Sequence, residues 1–295
     1  MEFGRLMTAM LTPFTSQGEI DEAEVKRLVT HLIATGTDTI VVGGTTGESP
    51  TLTAEERVGL IKIVKAAAAE RAKVIAGTGT NSTRDTIENS KAAMQAGADG
   101  LMVVTPYYNK PPQDSLFEHY AAIAREVDLP TMIYNVPGRT SCNILPPTLA
   151  KLAAIDVFFG VKEASGSLDQ VSEIKRMVPE KFLVYSGDDS LTLPMMAVGA
   201  VGVVSVSSHI VGAEMKQMIE YFVSGDTRAA THAHLALMPI FKALFITTSP
   251  IPLKWAMNRL GLSAGTLRPP LFAMMGTAEE KVILDALLVL GKVSS

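Results

Sequence analysis

The sequence predicts an α/β fold: a (βα)8 barrel of the TIM type followed by a C-terminal all-helical extension. Three observations lead there. Short apolar or β-branched runs recur eight times, at residues 7–11, 39–43, 73–77, 101–105, 131–134, 157–162, 182–186 and 202–206. Segments with helical periodicity stand between successive runs, and the strand signal stops after residue 225. Strands buried on both faces read as continuous apolar runs, and eight βα units can close on themselves; an open doubly wound sheet is the other arrangement the pattern allows.

The connecting segments carry helix signals. "DEAEVKRLVTHLIATG", "TAEERVGLIKIVKAAAAE" and "TRDTIENSKAAMQAGADG" open on Asp or Thr, and glycine follows the first and third periodic stretches. Beyond "HIVGAEMKQMIEYFVSG" three further helices are expected at 226–245, 250–260 and 278–290. No Gly-, Ser- or Pro-rich linker precedes them, so residues 226–295 are expected to pack against a catalytic barrel formed by residues 1–225. "TSPIPLKWAMNRLG", with the single tryptophan Trp255, reads as a packed helix start with proline punctuation.

A chain of 295 residues can hold one large domain or two ordinary ones, and a single α/β barrel reaches this size. With 47% hydrophobic and 19% charged residues and a mean hydropathy of +0.25, it can bury a substantial core, which excludes a disordered chain. A net charge of -4 without a basic cluster leaves no electrostatic footprint for nucleic acid. Cys142 is the only cysteine, and the five histidines form no HExxH pattern. A reducing compartment and chemistry without metal are therefore expected. "LMTAMLTPF" is too short for a signal peptide, and no run approaches the roughly 20 residues of a membrane span, so the expected location is the cytoplasm.

Active sites of such barrels lie at the C-terminal strand ends, so the residues delivered there matter most. The sixth run ends in "VFFGVKEASG", and Lys162 is the only lysine the pattern places at such an end. A low-dielectric surrounding favours the neutral amine that attacks a carbonyl, which makes Lys162 a candidate for Schiff-base formation with a keto substrate. The competing reading is a solvated lysine, or one paired with Glu163. The second run ends in "GGTTGES", where glycines, consecutive N–H groups and the hydroxyls of Thr45 and Thr46 can hold a carboxylate. The same loop also reads as a tight βα turn with Ser49 or Thr53 capping the next helix. It lacks the GK[ST] ending of a nucleotide-binding loop.

The fourth run leads into "TPYYNKPP", a stiff loop presenting Tyr107 and Tyr108 as a substrate wall, a subunit contact or a structural pair. The fifth ends in "IYNVPGRTS", which sets Tyr134 one strand from Lys162, about 4.8 Å away in the sheet. A phenol there can carry the protons that carbinolamine formation and dehydration require. Arg139 follows, suited to bidentate carboxylate capture or to a surface ion pair. In "SGDDS", Asp188 and Asp189 read as a helix cap rather than a metal site. The eighth run, "GVVSVSSH", supplies small residues above the barrel centre, and His209 reads as structural.

The series "GTTGES", "VIAGTGTN", "VTPYYNKP", "YNVPGRT", "GVKEASG" and "SGDDS", in this order, resembles the pyruvate-dependent class I aldolase family that includes N-acetylneuraminate lyase. The resemblance runs from about Arg5 to the C-terminal helices. It implies that Lys162 forms a Schiff base with pyruvate and that Tyr134 relays protons, with Thr45 and Tyr108 completing the relay. Thr46 would hold the pyruvate carboxylate, and Gly187 and the Val204 backbone would line the pocket. The family's equivalent of Tyr108 enters the neighbouring subunit's site, implying a homodimer that pairs again into a tetramer. No cofactor or metal is implied.

Sugar-acid lyases of the family lack an arginine after "YN". Arg139 therefore implies L-aspartate 4-semialdehyde as the second substrate, with its carboxylate on Arg139 and a cyclic product that feeds lysine and diaminopimelate biosynthesis. A sugar-acid lyase or aldolase and a catalytically silent binding protein are the alternatives. Many family members bind lysine as a feedback inhibitor through histidines and an acid. Here Ser49, Asn81 and Tyr107 match that site, whereas Ala54 and Arg57 replace two histidines and Asp85 is the acid. Weak or absent lysine inhibition is expected.

Overall fold

Eight parallel strands close into a barrel in chain order, each hydrogen-bonded to the next and β8 to β1. The strands are β1 Leu6–Ala9, β2 Thr39–Val42, β3 Lys73–Gly77, β4 Gly100–Val104, β5 Thr131–Asn135, β6 Phe158–Glu163, β7 Leu183–Ser186 and β8 Gly202–Ser205. This is the predicted (βα)8 architecture, and every strand falls within two residues of its apolar run at either end. The computed structural model describes residues 2–293; Met1, Ser294 and Ser295, at the ends of the two expected regions, lie outside the described residues.

Alternation along each strand divides the core in two. Met7, Ala9, Val41, Ile75, Met102, Met132, Tyr134, Tyr185 and Val204 fill the barrel interior. Their neighbours, such as Leu6, Ile40, Val74 and Leu101, or Ile133, Val161 and Val184, face the helices. Each such side chain contributes about 1.5–3 kcal/mol by leaving water. At the opposite end from the chemistry, Asp38 accepts the Arg5 and Leu6 N–H groups (2.8 and 3.0 Å), and Asp99 accepts that of Val74 (2.8 Å) and pairs with Lys65. These carboxylates tie strand starts to the helical layer.

Between β5 and β6 the register shifts: Thr131 lies opposite Phe158, but Met132 lies opposite Gly160. Such a bulge exchanges the faces of all residues that follow. Gly160 itself admits no Cβ, which would run into the Leu183 carbonyl.

The outer layer comprises α1 Glu22–Ala34, α2 Ala54–Ala68, α3 Thr83–Gln95, α4 Gln113–Glu126, α5 Pro137–Thr140, α6 Pro146–Leu152, α7 Leu168–Met177, α8 Thr192–Ala197 and α9 Ser208–Val223. Side-chain caps start several of them: Asp21 on α1, Thr53 with Glu56 in a capping box on α2, Ser82 on α3 and Ser167 on α7. The three expected C-terminal helices are α10 Thr227–Ala243, α11 Ile251–Arg259 and α12 Ala278–Val289. Leu237, Phe241, Leu253, Met257, Ile283 and Leu287 from them join the same hydrophobic cluster as β1 and β2, so the extension shares the barrel's core. Trp255 lies within α11, which has a proline in its first turn.

The carboxylates of "SGDDS" depart from their expected role. Asp188 occupies the cap position of the short turn Asp189–Leu191 without a side-chain cap bond. Asp189 is buried and reaches forward to accept the N–H groups of Val206 (3.2 Å) and Ser207 (2.8 Å) and the Ser207 hydroxyl (2.7 Å). It holds the segment entering α9, a partner its own neighbourhood in sequence does not contain.

His209 is structural, as expected. It is fully buried, its Nε2 accepts the Leu11 N–H (3.1 Å), and its Nδ1 donates to the Val206 carbonyl (2.7 Å). Burial pushes its imidazole down to about 4, and the same cause takes His119 to about 4. An unfolded histidine titrates near 6.5, so between about pH 6.5 and 4 the unfolded chain binds more protons. The stability from these two residues is present above that window and is lost as pH falls through it. Imidazole NMR should show both rings neutral from pH 7 to about 5; titration of either near 6.5 would contradict this.

Candidate active site

A row of side chains crosses the barrel near its C-terminal rim. Val104 lies opposite Tyr134, Tyr134 opposite Lys162, and Lys162 opposite Tyr185. Lys162 is 5% exposed, and its Nζ stands 4.3 Å from the centroid of the Tyr134 ring. A cation over a ring face is attractive, which holds the two side chains together.

Glu163 is not the partner of Lys162. It lies one residue on, directed to the other face of β6, where it accepts Asn135 Nδ2 (2.9 Å), Gln170 Nε2 (3.2 Å) and the Ser165 N–H (2.7 Å). Lys162 forms no ion pair among the described residues. No carboxylate among them claims the Lys162 amine.

Gly187 leaves the space above it. Its N–H donates to the Glu163 carbonyl (2.8 Å), and a Cβ there would stand 3.2 Å from Lys162 Cε and crowd Ala164. Val204 belongs to the barrel interior on β8, level with Met7. Asp188 follows Gly187 at the end of β7, with no side-chain cap bond to the turn after it. Desolvation pushes its carboxyl up, and the positive charge of Lys162 opposes that shift.

The loop after β2 is a compact turn. Gly43 takes φ +66°, the Gly47 N–H donates to the Gly44 carbonyl (3.1 Å) and the Glu48 N–H to that of Thr45 (3.1 Å). Thr46 is buried and Thr45 half-buried. The turn and the cap coexist: Thr53 caps α2, and the threonines sit before it.

Thr45 opens on a cavity of about 360 Å³, walled also by Ser49, Arg57, Tyr107, Val136 and Arg139. Arg139 is exposed on α5 and takes part in none of the arginine ion pairs among the described residues. Lys162, Tyr134 and Thr46 do not wall this cavity. A larger cavity, about 670 Å³, lies by Trp255, Asn258 and Phe272 in the C-terminal extension and contains none of the strand-end residues. Volume alone would misplace the site; the strand-end chemistry decides.

Tyr108 is not brought to Lys162 within the chain. It is 88% exposed with φ +74°, a conformation uncommon for a residue with a Cβ. Of the positions matching a lysine site, Ser49 and Tyr107 wall the cavity with Arg57, whose Nη1 donates to the Gly77 carbonyl (3.2 Å). Burial lowers the Arg57 pKa. Asn81 spends its carbonyl on Asn109 (2.8 Å), Asp85 pairs with Arg84 (3.0 Å), and neither these two nor Ala54 walls the cavity.

Residues 2–287 match the model of the dihydrodipicolinate synthetase family. The chain is 52% identical over 289 residues to a 4-hydroxy-tetrahydrodipicolinate synthase of Thermosynechococcus vestitus, covering 97% of this chain and 98% of that one. Among solved structures, the enzyme of Cyanidioschyzon merolae with lysine bound superposes with a TM-score of 0.96 at 44% identity, covering 99% of both chains. A monomeric dihydrodipicolinate synthase variant gives 0.96 at 38% identity, covering 99% of this chain and 98% of that one.

Proposed function

The chain belongs to the dihydrodipicolinate synthetase family, and from that premise we propose that Lys162 is the amine on which its reaction runs. The enzyme is a Schiff-base lyase that condenses pyruvate with L-aspartate 4-semialdehyde to 4-hydroxy-tetrahydrodipicolinate, in lysine and diaminopimelate biosynthesis. The observation that carries the assignment to Lys162 is its burial without a carboxylate partner, in register with Tyr134.

In this reading the neutral Lys162 amine attacks C2 of pyruvate, and Tyr134 returns a proton to the departing hydroxyl as water leaves. Thr46 and the adjacent N–H groups hold the carboxylate, and Gly187 and the Val204 backbone leave room for the adduct. Loss of a methyl proton gives the enamine, whose carbon attacks the aldehyde. Arg139 holds the semialdehyde carboxylate at the mouth, which favours this substrate over a sugar acid. The semialdehyde's own amine then attacks the imine carbon, closing the ring and releasing Lys162.

Thr45 continues the relay, and Tyr108 completes it from a second copy of the chain. The exposure and left-handed backbone of Tyr108 support this, and with it a homodimer that pairs into a tetramer. Residues 1–225 carry the chemistry and 226–295 brace them. We infer a cytoplasmic location, supported by the single buried thiol of Cys142; among the described residues no helix is long and apolar enough to cross a membrane.

Replacing Lys162 with Ala should abolish borohydride trapping of pyruvate and lower turnover about a thousandfold or more. Trapping that persists on another lysine overturns the assignment. Arg139→Ala should keep pyruvate trapping while the KM for the semialdehyde rises about 10- to 100-fold, the worth of a charge-assisted pair; equal damage to both substrates argues against the role. L-lysine should inhibit weakly or not at all. Arg57 puts a guanidinium into the same cavity as Ser49 and Tyr107, where it would repel an ammonium, and Asp85 is engaged by Arg84. Strong inhibition in an initial-rate titration with lysine would refute this.

A further inference from the structure

Lys254, on α11 in the C-terminal extension, and Glu48, two residues after Thr46, form an ion pair at 2.7 Å with side-chain exposures of 2% and 1%. Lys254 also donates to the carbonyls of Thr12 (2.7 Å) and Thr266. The second Glu48 oxygen accepts the Arg268 N–H (2.9 Å). Both cations lie over the Phe14 ring, Lys254 Nζ 4.5 Å and Arg268 Cζ 4.2 Å from its centroid. One ammonium thus joins the loop after β1, the loop after β2 and the turn that follows α11.

A buried ion pair is a poor source of stability, because desolvating two charges offsets most of their attraction; its better-attested use is to fix register. What this pair fixes is the threonine turn. The Glu48 N–H closes that turn on the Thr45 carbonyl, and Thr12 Oγ1 donates to the Gly47 carbonyl (2.8 Å). Glu48 has φ +56°, a conformation that persists in a residue with a Cβ only where its surroundings hold it.

We propose that the Lys254–Glu48 pair is a positioning device for pyruvate capture, through which the C-terminal extension holds the Thr45 and Thr46 hydroxyls in their carboxylate-binding arrangement. The proposal rests on the reading that Thr46 receives the pyruvate carboxylate. Burial pushes the Lys254 ammonium down to about 8 while the Glu48 charge opposes it, so the cation is the main form at pH 7. Nothing in the pair touches substrate. Its loss acts through the turn, on the first substrate and not on Arg139.

The test uses full-length Lys254→Met and Glu48→Gln, with folding followed by circular dichroism. Pyruvate dependence is measured both by borohydride trapping and by initial rate, with the semialdehyde KM measured beside it. Half-saturating pyruvate should rise about tenfold in each folded variant, while kcat and the semialdehyde KM change by less than about threefold. Pyruvate saturation within about twofold of wild type, or equal losses for both substrates, overturns the proposal. So does failure of both variants to fold, since the pair would then be a folding requirement. Wild-type protein that pyruvate and borohydride do not label would sink the Schiff-base reading instead, which keeps the two failures distinct.

Discussion

Lys162 faces the barrel interior because β6 carries one residue more than β5 across the step from Thr131 to Met132. Side chains alternate faces along a strand, so without the extra residue Val161 or Glu163 would point inward and Lys162 would turn toward the helices. With it, Lys162 stands between two interior tyrosines, Tyr134 and Tyr185. At the bulge, the Phe159 ring stacks on Phe3, ahead of β1, with ring centroids 4.6 Å apart. A packing irregularity at one end of the strand thereby sets which side chain reaches the interior at the other.

Correct facing alone would leave an amine that the nearest carboxylate could capture. Glu163 is kept from doing so by full commitment elsewhere. Asn135 and Gln170 donate to it, and Asn143 bridges those two amides in turn. A buried polar network with every member satisfied is rigid, because any rearrangement strands a desolvated group. Asp189 is committed through one oxygen only, to the loop after β8, and its second oxygen is buried without a partner. Lys162, Arg139 and Asp188, by contrast, carry charges at the rim, and their side chains make no ion pair among the described residues.

How much of this was legible follows from where each signal sits in the chain. The strands and the positions of Lys162 and Tyr134 could be read directly, since apolar runs and their ends are local features. Arg139 and the threonines could be read as candidates, but their alternatives closed only when the cavity and the turn were seen. The role of Asp189 was misread because its partners, Val206 and Ser207, belong to the next strand's exit. Lys254 was passed over as part of a packed helix start: nothing local to α11 says that its ammonium ends against Glu48. Interactions between distant segments leave no periodic trace, and they are what hold the site together.

The two loops that flank the mouth divide the same problem differently. Both contain a residue with a Cβ in the left-handed region, Glu48 after β2 and Tyr108 after β4. Such conformations persist when surrounding contacts over-determine them. For Glu48 those contacts lie within the chain: Lys254, the Arg268 N–H, and the hydroxyl and N–H of Thr51 on its own carbonyl. For Tyr108 the ring is exposed, and its loop is anchored to the rest of the chain by bonds such as that from Asn109 to Asn81. A strained backbone that presents an aromatic ring to solvent gains nothing for an isolated chain. The physical asymmetry between the loops is that contacts within the chain hold the turn after β2 in its conformation, while the loop after β4 offers its phenol outward.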